Sequence, residues 1–339
     1  MRIPYRTRRV LGRLAVTLVV IAAFLALVLL CWALWLGRFV VYTGDGAKLD
    51  FEHSSADMTG VPALPPEEET LISIHYNDGE ELKGQSTELT QLNGYYVTAD
   101  ALKADIPQLR TQLTALPAGT AVMVDVKNIY GEFFYSSTVS TARSGSIDPE
   151  QMDALIDHLA KSNLYAIARV PAFQDYTYGL NHVDDGLFST QGAFLWRDDA
   201  GCYWLNPARE GTISYLVQIV TELKQLGFDE VVFDAFWFPD SDGYTFPQDR
   251  YQKLTTAAAT LATTCATDRF AVSFIGDSSF PMPQGRGRLY MRNVEAAATT
   301  GIAEQAQVPD PVVNLVFLTE VHDTRFDVYS VLRPISAIR

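Results

Sequence analysis

The hydrophobic pattern from residue 93 onward alternates between short apolar runs and longer amphipathic segments. The apolar runs predict six strands, namely GYYVTAD (94 to 100), TAVMVDVKN (120 to 128), LYAIARVPAF (164 to 173), EVVFDAFWFP (230 to 239), DRFAVSFIGD (268 to 277) and PVVNLVFLTE (311 to 320). Runs rich in Val, Ile and Phe are typical of parallel strands that are buried on both faces.

The segments between these runs carry helix signals. Asp148 and Pro149 suit the N-cap and the first position of a helix, and Met152 and Leu155 follow at helical spacing. A second apolar face, ended by Gly227, comprises Ile213, Leu216, Val217, Val220, Leu223 and Leu226. Helices between strands predict βαβ units and a parallel sheet.

The length of this region favours an α/β barrel. Residues 93–339 approach the ~250 residues typical of a (β/α)8 TIM-type barrel. The alternative, a doubly wound sheet, usually carries a phosphate loop, and no GxGxxG or Walker sequence is present. GRGR at 285 to 288 is predicted as a basic turn. Only residues 321–330 separate the sixth predicted strand from VLRPISAI, which is too short for a normal intervening helix. We therefore expect a barrel that is incomplete or divergent at its C-terminal end, with its eighth strand absent or supplied by an amino-terminal hairpin.

An uncharged apolar segment lies near the amino terminus. Residues 14–36 contain no charge and exceed the ~20 residues that a helix needs to cross a bilayer, and residues 1–13 contain five arginines and no acidic residue. The positive-inside rule then predicts a cytoplasmic basic segment at 1–13, a transmembrane helix at 14–36 and an extracytoplasmic C-terminal domain in the cell envelope. A cleaved signal peptide is the alternative, but its apolar region is usually only ~7–15 residues long.

The tract at residues 37–92 joins the predicted membrane helix to the barrel domain at 93–339. It is rich in Gly, Pro, Ser and acidic residues without a sustained hydrophobic period, which is typical of a stalk. Within it, TLISIHY at 70 to 76 and the following NDGE turn predict a small hairpin.

The charge balance restricts the partners. The chain has 26 basic and 40 acidic residues, and six of the basic ones are arginines up to Arg38, where no acidic residue occurs, so 20 basic and 40 acidic residues follow. Such an acidic domain would repel nucleic acid and anionic polymers, which favours a neutral substrate. No cofactor or metal is predicted, because there is no CxxC or HExxH motif and the five histidines are scattered. Cys202 and Cys265 form either one disulfide or two thiols.

One carboxylate draws attention to the strand at 230 to 239. Asp234 follows an apolar run and is surrounded in sequence by Phe233, Phe236, Trp237 and Phe238. A carboxylate in an apolar wall is costly unless it is paired or used, and the active sites of α/β barrels lie at the carboxyl ends of the strands. Asp234 is therefore the first candidate for catalysis, and a helix cap or a structural ion pair is the alternative.

Five motifs of the chain resemble a known family. GYYVTA, MVDVKNIYGEFFYSS, YAIARVPAF, FLWRDDAGCYWLNPA and LGFDEVVFDAFWFP occur in the order and approximate spacing of the glycosyl hydrolase domain found in membrane-anchored or secreted bacterial proteins. That family is similar to the TIM-barrel glycoside hydrolases of the α-amylase-like type. The resemblance implies a barrel that acts on a polysaccharide or oligosaccharide.

The resemblance also assigns positions. Residues that match family motifs are Asp125, Lys127, Arg169, Trp196, Arg197, Asp199, Trp204, Pro207 and Asp234. The chain departs from the family pattern at Asn206, which replaces an Asp, at Ala235-Phe236-Trp237, which replaces Tyr-Val-Arg, and at Ile275, which replaces the Asp of the fifth strand.

Glycoside cleavage normally needs two carboxyl groups. The catalytic candidates are therefore Asp234, Asp125, Asp277 and Glu320. The candidates for substrate binding are Lys127, Arg169, Trp196, Trp204, Asn206, Trp237 and Tyr96, whose aromatic members offer flat rings for stacking on sugars. The sequence thus predicts a membrane-tethered glycoside hydrolase, with a non-catalytic carbohydrate or cell-wall binding protein as the alternative and a scaffold for envelope proteins as a third reading.

Overall fold

The computed structural model describes residues 40–43, 46–49 and 88–337. The predicted basic segment at 1–13, the membrane segment at 14–36 and the predicted strand at 70–76 lie outside these residues. In the described ranges, no helix is long and apolar enough to span a bilayer. The chain divides into two units, Met1–Gly79 and Glu80–Arg339. In the first unit, β1 (Val40–Thr43) pairs antiparallel with β2 (Gly46–Leu49).

The second unit is a closed barrel of eight parallel strands. These are β3 (Asn93–Val97), β4 (Ala121–Asp125), β5 (Tyr165–Pro171), β7 (Glu230–Asp234), β9 (Ala271–Ile275), β10 (Leu289–Arg292), β11 (Leu315–Leu318) and β12 (Ser330–Pro334). Each strand lies beside its predecessor in this order, and β12 closes the barrel on β3, with Val331 opposite Asn93 and Pro334 opposite Tyr96. The α/β barrel class is thus confirmed.

The expectation of an incomplete barrel was wrong. The sequence analysis missed β10, a strand of four residues that begins directly after the GRGR segment, because a single short apolar run is too weak a signal on its own. The segment VLRPISAI contains most of β12, which is the eighth barrel strand. No hairpin supplies a strand, since the neighbours of β3 in the barrel are β12 and β4.

Helices pack on the outside of the barrel. They are α1 (Ala99–Ala104), α2 (Ile106–Thr114), α3 (Pro149–Lys161), α4 (Tyr176–Asn181), α5 (Glu210–Gln225), α6 (Arg250–Cys265), α7 (Thr299–Gln305) and α8 (Pro311–Asn314). The predicted cap of α3 is confirmed, because the Asp148 side chain accepts a hydrogen bond from the Glu150 amide and Pro149 is the first helical residue. In the loops after β5 and β7, the short strands β6 (Phe188–Ser189) and β8 (Tyr244–Thr245) pair antiparallel.

The inside of the barrel is filled, so it cannot act as a pore. Its middle consists of the buried side chains of Leu92, Ala121, Met123, Ile167, Val232, Ile275, Tyr290, Val316 and Leu332. Nearer the amino ends of the strands, the buried Glu230 carboxylate pairs with Arg288 and accepts hydrogen bonds from Ser273 and Tyr290. Since these groups satisfy one another, the interior polar groups left to consider lie at the carboxyl end.

Candidate active site

Strand alternation brings four charged residues to the carboxyl end of the barrel. The interior-facing residues Met123, Ile167, Val232 and Tyr290 are each followed two positions later by a charged residue. Those residues are Asp125, Arg169, Asp234 and Arg292. Because side chains along a strand alternate between faces, residues two apart share a face, and these four form the top layer of the interior.

Asp125 and Arg169 form a bidentate ion pair between adjacent strands. Arg169 Nε donates to Asp125 Oδ1 at 2.6 Å, and Arg169 Nη2 donates to Asp125 Oδ2 at 2.8 Å. The Ala99 amide adds a third hydrogen bond to Oδ2 at 2.9 Å. Burial acts to lower the pKa of the Arg169 guanidinium, but the charges of Asp125 and Asp234 outweigh burial and raise that pKa. The Arg169 side chain is therefore a fixed positive charge beneath the barrel mouth.

Asp234 lies between two arginines. Arg292 Nη1 donates to Asp234 Oδ2 at 3.0 Å, and Arg292 Nη2 donates to Oδ1 at 2.9 Å. On the other side, Arg169 Nη1 lies 3.8 Å from Oδ2. The amide of Ala235 donates to Oδ1 at 2.7 Å, and 13 % of the Asp234 side chain remains exposed. Asp234 is thus a fixed carboxylate that solvent can still reach.

The backbone is strained next to both members of the Asp234–Arg292 pair. Ala235 has a φ of 48° and Asn293 a φ of 56°, and within the described part of the chain these are the two non-glycine residues with positive φ. Each directly follows one member of the pair. Non-glycine residues in this region cost about 1–3 kcal/mol and cluster at functional sites. The strain therefore supports a functional role for the strand ends that carry Asp234 and Arg292.

A cavity of about 670 Å3 opens above these residues. Its lining includes Tyr96, Arg169, Arg292, Leu318 and Glu320. Burial and the nearby Glu320 carboxylate raise the pKa of the Tyr96 phenol, although Arg169 opposes the shift. The phenol therefore stays protonated in neutral solution and is available as a hydrogen-bond donor.

Two of the predicted catalytic carboxylates differ in placement. Glu320 lines this cavity and lies two residues after the end of β11. Asp277 is exposed and bonds within its own loop, where its Oδ1 accepts from the Ser279 amide at 2.8 Å and from the Ser279 hydroxyl. The structure therefore brings Glu320 to the cavity, and Asp277 is not among the residues that line it.

Lys127, a predicted substrate-binding residue, is not among the residues that line the cavity. Its side chain is fully buried and pairs with Asp175, with 2.7 Å between Nζ and Oδ2. Asp175 also accepts from the Tyr215 hydroxyl at 2.9 Å and from the Tyr178 amide at 2.7 Å. Lys127 lies just beyond the end of β4, where strand alternation no longer fixes the side-chain direction. Its position is that of a structural ion pair behind the barrel mouth.

The predicted aromatic residues divide into buried and exposed ones. Trp204 is buried, and its indole nitrogen donates to Asp198 Oδ2 at 2.7 Å. Trp237 has 39 % of its surface exposed, and its ring centroid lies 6.1 Å from that of Trp204. Asn206 closes a turn, since its Oδ1 accepts from the Ala208 amide at 2.9 Å. Of Trp204 and Trp237, Trp237 is therefore the one whose ring a ligand can reach.

Arg292 was missed because its strand was missed. It lies at the end of β10, so its inward direction is predictable only after the LYMR segment is recognised as a strand. The available signal was a run of three apolar residues, Leu289, Tyr290 and Met291, followed by an arginine. In β5 an apolar run likewise precedes Arg169, but that run is longer.

No metal ligand set is evident among the described residues. Groups of three or more His, Cys, Asp or Glu side chains arranged to hold an ion do not occur there.

Cys202 and Cys265 are free and buried thiols, so the open question of a disulfide is answered in favour of two thiols. Burial raises the pKa of the Cys202 thiol to about 11.

The sequence comparison agrees with the resemblance seen in the motifs. The profile of a family described as "Putative glycosyl hydrolase domain" matches residues 94–272, which is more than half of the chain and runs from β3 into β9. The chain belongs to this family. A search among curated proteins gives no match.

Two solved α-galactosidases share the barrel fold. An α-galactosidase from Geobacillus stearothermophilus in complex with raffinose has a TM-score of 0.50 and 11% identity, covering 75% of this chain and 40% of that one. An α-galactosidase from Lactobacillus brevis has a TM-score of 0.50 and 12% identity, covering 75% and 38%. A hypothetical protein from Ruminiclostridium thermocellum has a TM-score of 0.45 and 21% identity, covering 53% and 96%. The chain thus spans about two fifths of the two galactosidases, and the likeness concerns the fold.

Proposed function

We propose that this glycosyl hydrolase-family domain cleaves glycosidic bonds in a neutral polysaccharide of the cell envelope or its surroundings, with Asp234 as the catalytic carboxylate. The observation that carries the proposal is the placement of Asp234 at the end of a barrel strand, next to Arg292 and Arg169, which both line an open cavity. Family membership supports a carbohydrate substrate. The predicted anchor at residues 14–36 supports a tethered enzyme whose barrel faces outward.

The two oxygens of Asp234 are not equivalent. Oδ1 accepts from Arg292 and from the Ala235 amide, which together use both of its lone pairs. Oδ2 accepts one hydrogen bond, from Arg292, while Arg169 lies at 3.8 Å. Oδ2 therefore keeps acceptor capacity, and it is the atom that would attack the anomeric carbon or take a proton from water. Arg292 and Arg169 place two positive charges beside this carboxylate.

Of the predicted catalytic carboxylates, Glu320 is the one that lines the cavity. It is exposed, and no group among the described residues donates a hydrogen bond to its carboxylate. Asp125 has both oxygens engaged by Arg169 and the Ala99 amide, and Asp277 is bonded to its own loop. In the proposed reaction the glycosidic bond breaks as Glu320 gives its proton to the leaving oxygen. Oδ2 of Asp234 either bonds to the anomeric carbon, from which water later displaces it, or takes a proton from the water that attacks this carbon.

A non-catalytic carbohydrate-binding protein is the second candidate. Its support is the pair of hydrogen bonds from Arg292, which satisfies Asp234 as a structural ion pair and leaves Trp237 as an exposed ring for sugar binding. Under this reading the cavity and the exposed ring hold a glycan without cleaving it.

Hydrolysis by matched variants distinguishes the two candidates. The full-length protein is incubated with a broad panel of neutral glycans, and reducing ends are measured for the wild type, Asp234→Asn, Glu320→Gln and, as a control, Asp157→Asn on the outer helix α3. We expect Asp234→Asn and Glu320→Gln to lose hydrolysis by orders of magnitude while glycan binding persists, and the control to match the wild type. Hydrolysis that survives in Asp234→Asn contradicts the catalytic assignment. A wild type that binds glycans without cleaving any supports the binding protein.

A further inference from the structure

A second cavity lies in the loops at the carboxyl end of the barrel. Its volume is about 590 Å3, and its walls come from residues 189–201 together with Gly243. Residues 189–201 belong to the connection after β5, and Gly243 belongs to the connection after β7, the strand that ends at Asp234. Both connections leave strands at their carboxyl ends, so the second cavity lies at the same end of the barrel as the candidate active site.

The lining of this cavity suits a sugar ring. Trp196 and Phe194 provide flat aromatic surfaces, and Phe194 has 55 % of its surface exposed. Gln191, Arg197 and Asp199 provide amide, guanidinium and carboxylate groups, all on exposed residues. A ring under the C–H face of a sugar, with polar groups of both donor and acceptor type for its hydroxyls, is how protein pockets combine affinity with orientation.

The cavity is built rigidly. The Trp196 ring packs so closely on Gly243 that a Cβ at that position would lie 2.3 Å from its indole nitrogen, and its centroid lies 5.2 Å from that of Tyr244. Asp198 fixes the wall, because its carboxylate accepts from the Cys202 amide at 2.9 Å and from Gln174 Nε2 at 2.6 Å. A preformed aromatic wall loses little conformational entropy on binding, as expected for a ligand site.

A chain of contacts joins this cavity to Asp234. Asp198 lines the cavity and accepts from the Trp204 indole, and Trp204 contacts Trp237 with ring centroids 6.1 Å apart. Trp237 lies three residues after Asp234 in the same loop. One indole side chain therefore separates the exposed Trp237 ring from the wall of the second cavity.

We infer that the cavity formed by residues 189–201 and Gly243 is a distal subsite, which binds a neutral sugar unit remote from the bond that is cleaved. This inference rests on the proposed function for the class of ligand. It adds that the substrate is a chain of several sugar units, because one end must occupy the mouth beside Asp234 while another contacts Phe194 and Trp196.

The test varies the length of the ligand. Ladders of neutral oligosaccharides, namely β-1,4-glucans, α-1,4-glucans, β-1,4-linked N-acetylglucosamines and α-galactosides, are titrated into the full-length Asp234→Asn protein, which should not cleave them. Binding is followed by calorimetry. The variants Phe194→Ala and Trp196→Ala are made in the same background, with Tyr130→Ala as the control, since Tyr130 is an exposed aromatic that lines neither cavity. Thermal unfolding checks each fold, and Phe194→Ala is the safer variant because its ring is largely exposed.

We expect affinity to rise with chain length for at least one ladder. Phe194→Ala and Trp196→Ala should weaken binding of the longest members by roughly ten-fold and that of the shortest members far less. The Tyr130→Ala protein should keep the full length dependence. Affinity that does not depend on length, equal losses for short and long ligands, or a failure of every ladder to bind overturns the inference. Length-dependent binding that needs Phe194, in a protein whose wild type cleaves no glycan, contradicts the proposed hydrolysis but supports the subsite.

Discussion

Arg292 donates hydrogen bonds to both oxygens of Asp234 at the barrel mouth. Its terminal nitrogens lie 3.0 and 2.9 Å from Oδ2 and Oδ1, although β9 separates the strands on which the two residues lie. A planar guanidinium can fix the orientation of a carboxylate with two parallel hydrogen bonds, and a lysine cannot. Asp234 is therefore oriented by a neighbour that is distant in the sequence.

This geometry predicts the effect of replacing Arg292 by Lys. The charge remains but the bidentate contact is lost, so Asp234 should rotate away from its productive position, and turnover should fall by about a hundred-fold with a smaller change in KM. Steady-state kinetics on a glycan cleaved by the wild type measures the split. The control is Arg333→Lys, because Arg333 bonds Asp327 through one nitrogen at 2.7 Å. Equal losses in both variants would show that Arg292 acts on stability alone.

The buried pair of Lys127 and Asp175 predicts a large loss of stability without a direct loss of binding. Replacing Lys127 by Met leaves the Asp175 charge buried with only the Tyr215 hydroxyl and the Tyr178 amide, which should lower the free energy of unfolding by about 3–5 kcal/mol. Denaturant unfolding measures the change. Lys161→Met, which breaks an exposed pair with Asp157, should change it by less than about 1 kcal/mol. A stable Lys127→Met protein that fails to bind glycan would instead restore the predicted role in substrate binding.

Glu222 predicts a component of acid sensitivity. Burial would raise the pKa of its carboxyl, but hydrogen bonds from Ser137, Thr138 and Tyr135 outweigh burial and lower it below 4.5. A carboxyl group whose pKa is lower in the folded than in the unfolded state stabilises the protein at pH values above its unfolded-state pKa. This contribution disappears as the pH falls through the folded-state pKa. Glu222→Gln should therefore be less stable than the wild type at pH 7, with a difference that narrows below about pH 4.5. Urea unfolding at several pH values checks this, with the exposed Glu304→Gln as control; a constant difference would contradict it.

The predicted membrane anchor can be tested in intact cells. If residues 14–36 span the membrane with the amino terminus inside, the barrel domain should fractionate with membranes and be digested by protease added outside, while a cytoplasmic marker survives. Sequencing of the mature amino terminus provides the second measurement. Release of the domain into the medium with a new amino terminus near residues 37–45 would identify a cleaved signal peptide instead.

The sequence by itself determined the features that depend on local periodicity. Alternation of apolar runs with amphipathic segments identified the βαβ series, and the Asp148–Pro149 signal located the start of α3. Strand alternation also placed Asp125, Arg169 and Asp234 at neighbouring strand ends, because three consecutive barrel strands end with them or near them. These features follow from residues close together in the chain.

Only the tertiary structure decided the closure of the barrel and the pairing of its charges. The strand β10 has four residues, and its identity depends on hydrogen bonds to β9 and β11 rather than on its own composition. The partner of Asp234 proved to be Arg292, and Lys127 turned away from the mouth to pair with Asp175. These contacts join residues far apart in the sequence, and a charge pattern does not specify which opposite charge the folded chain brings within reach.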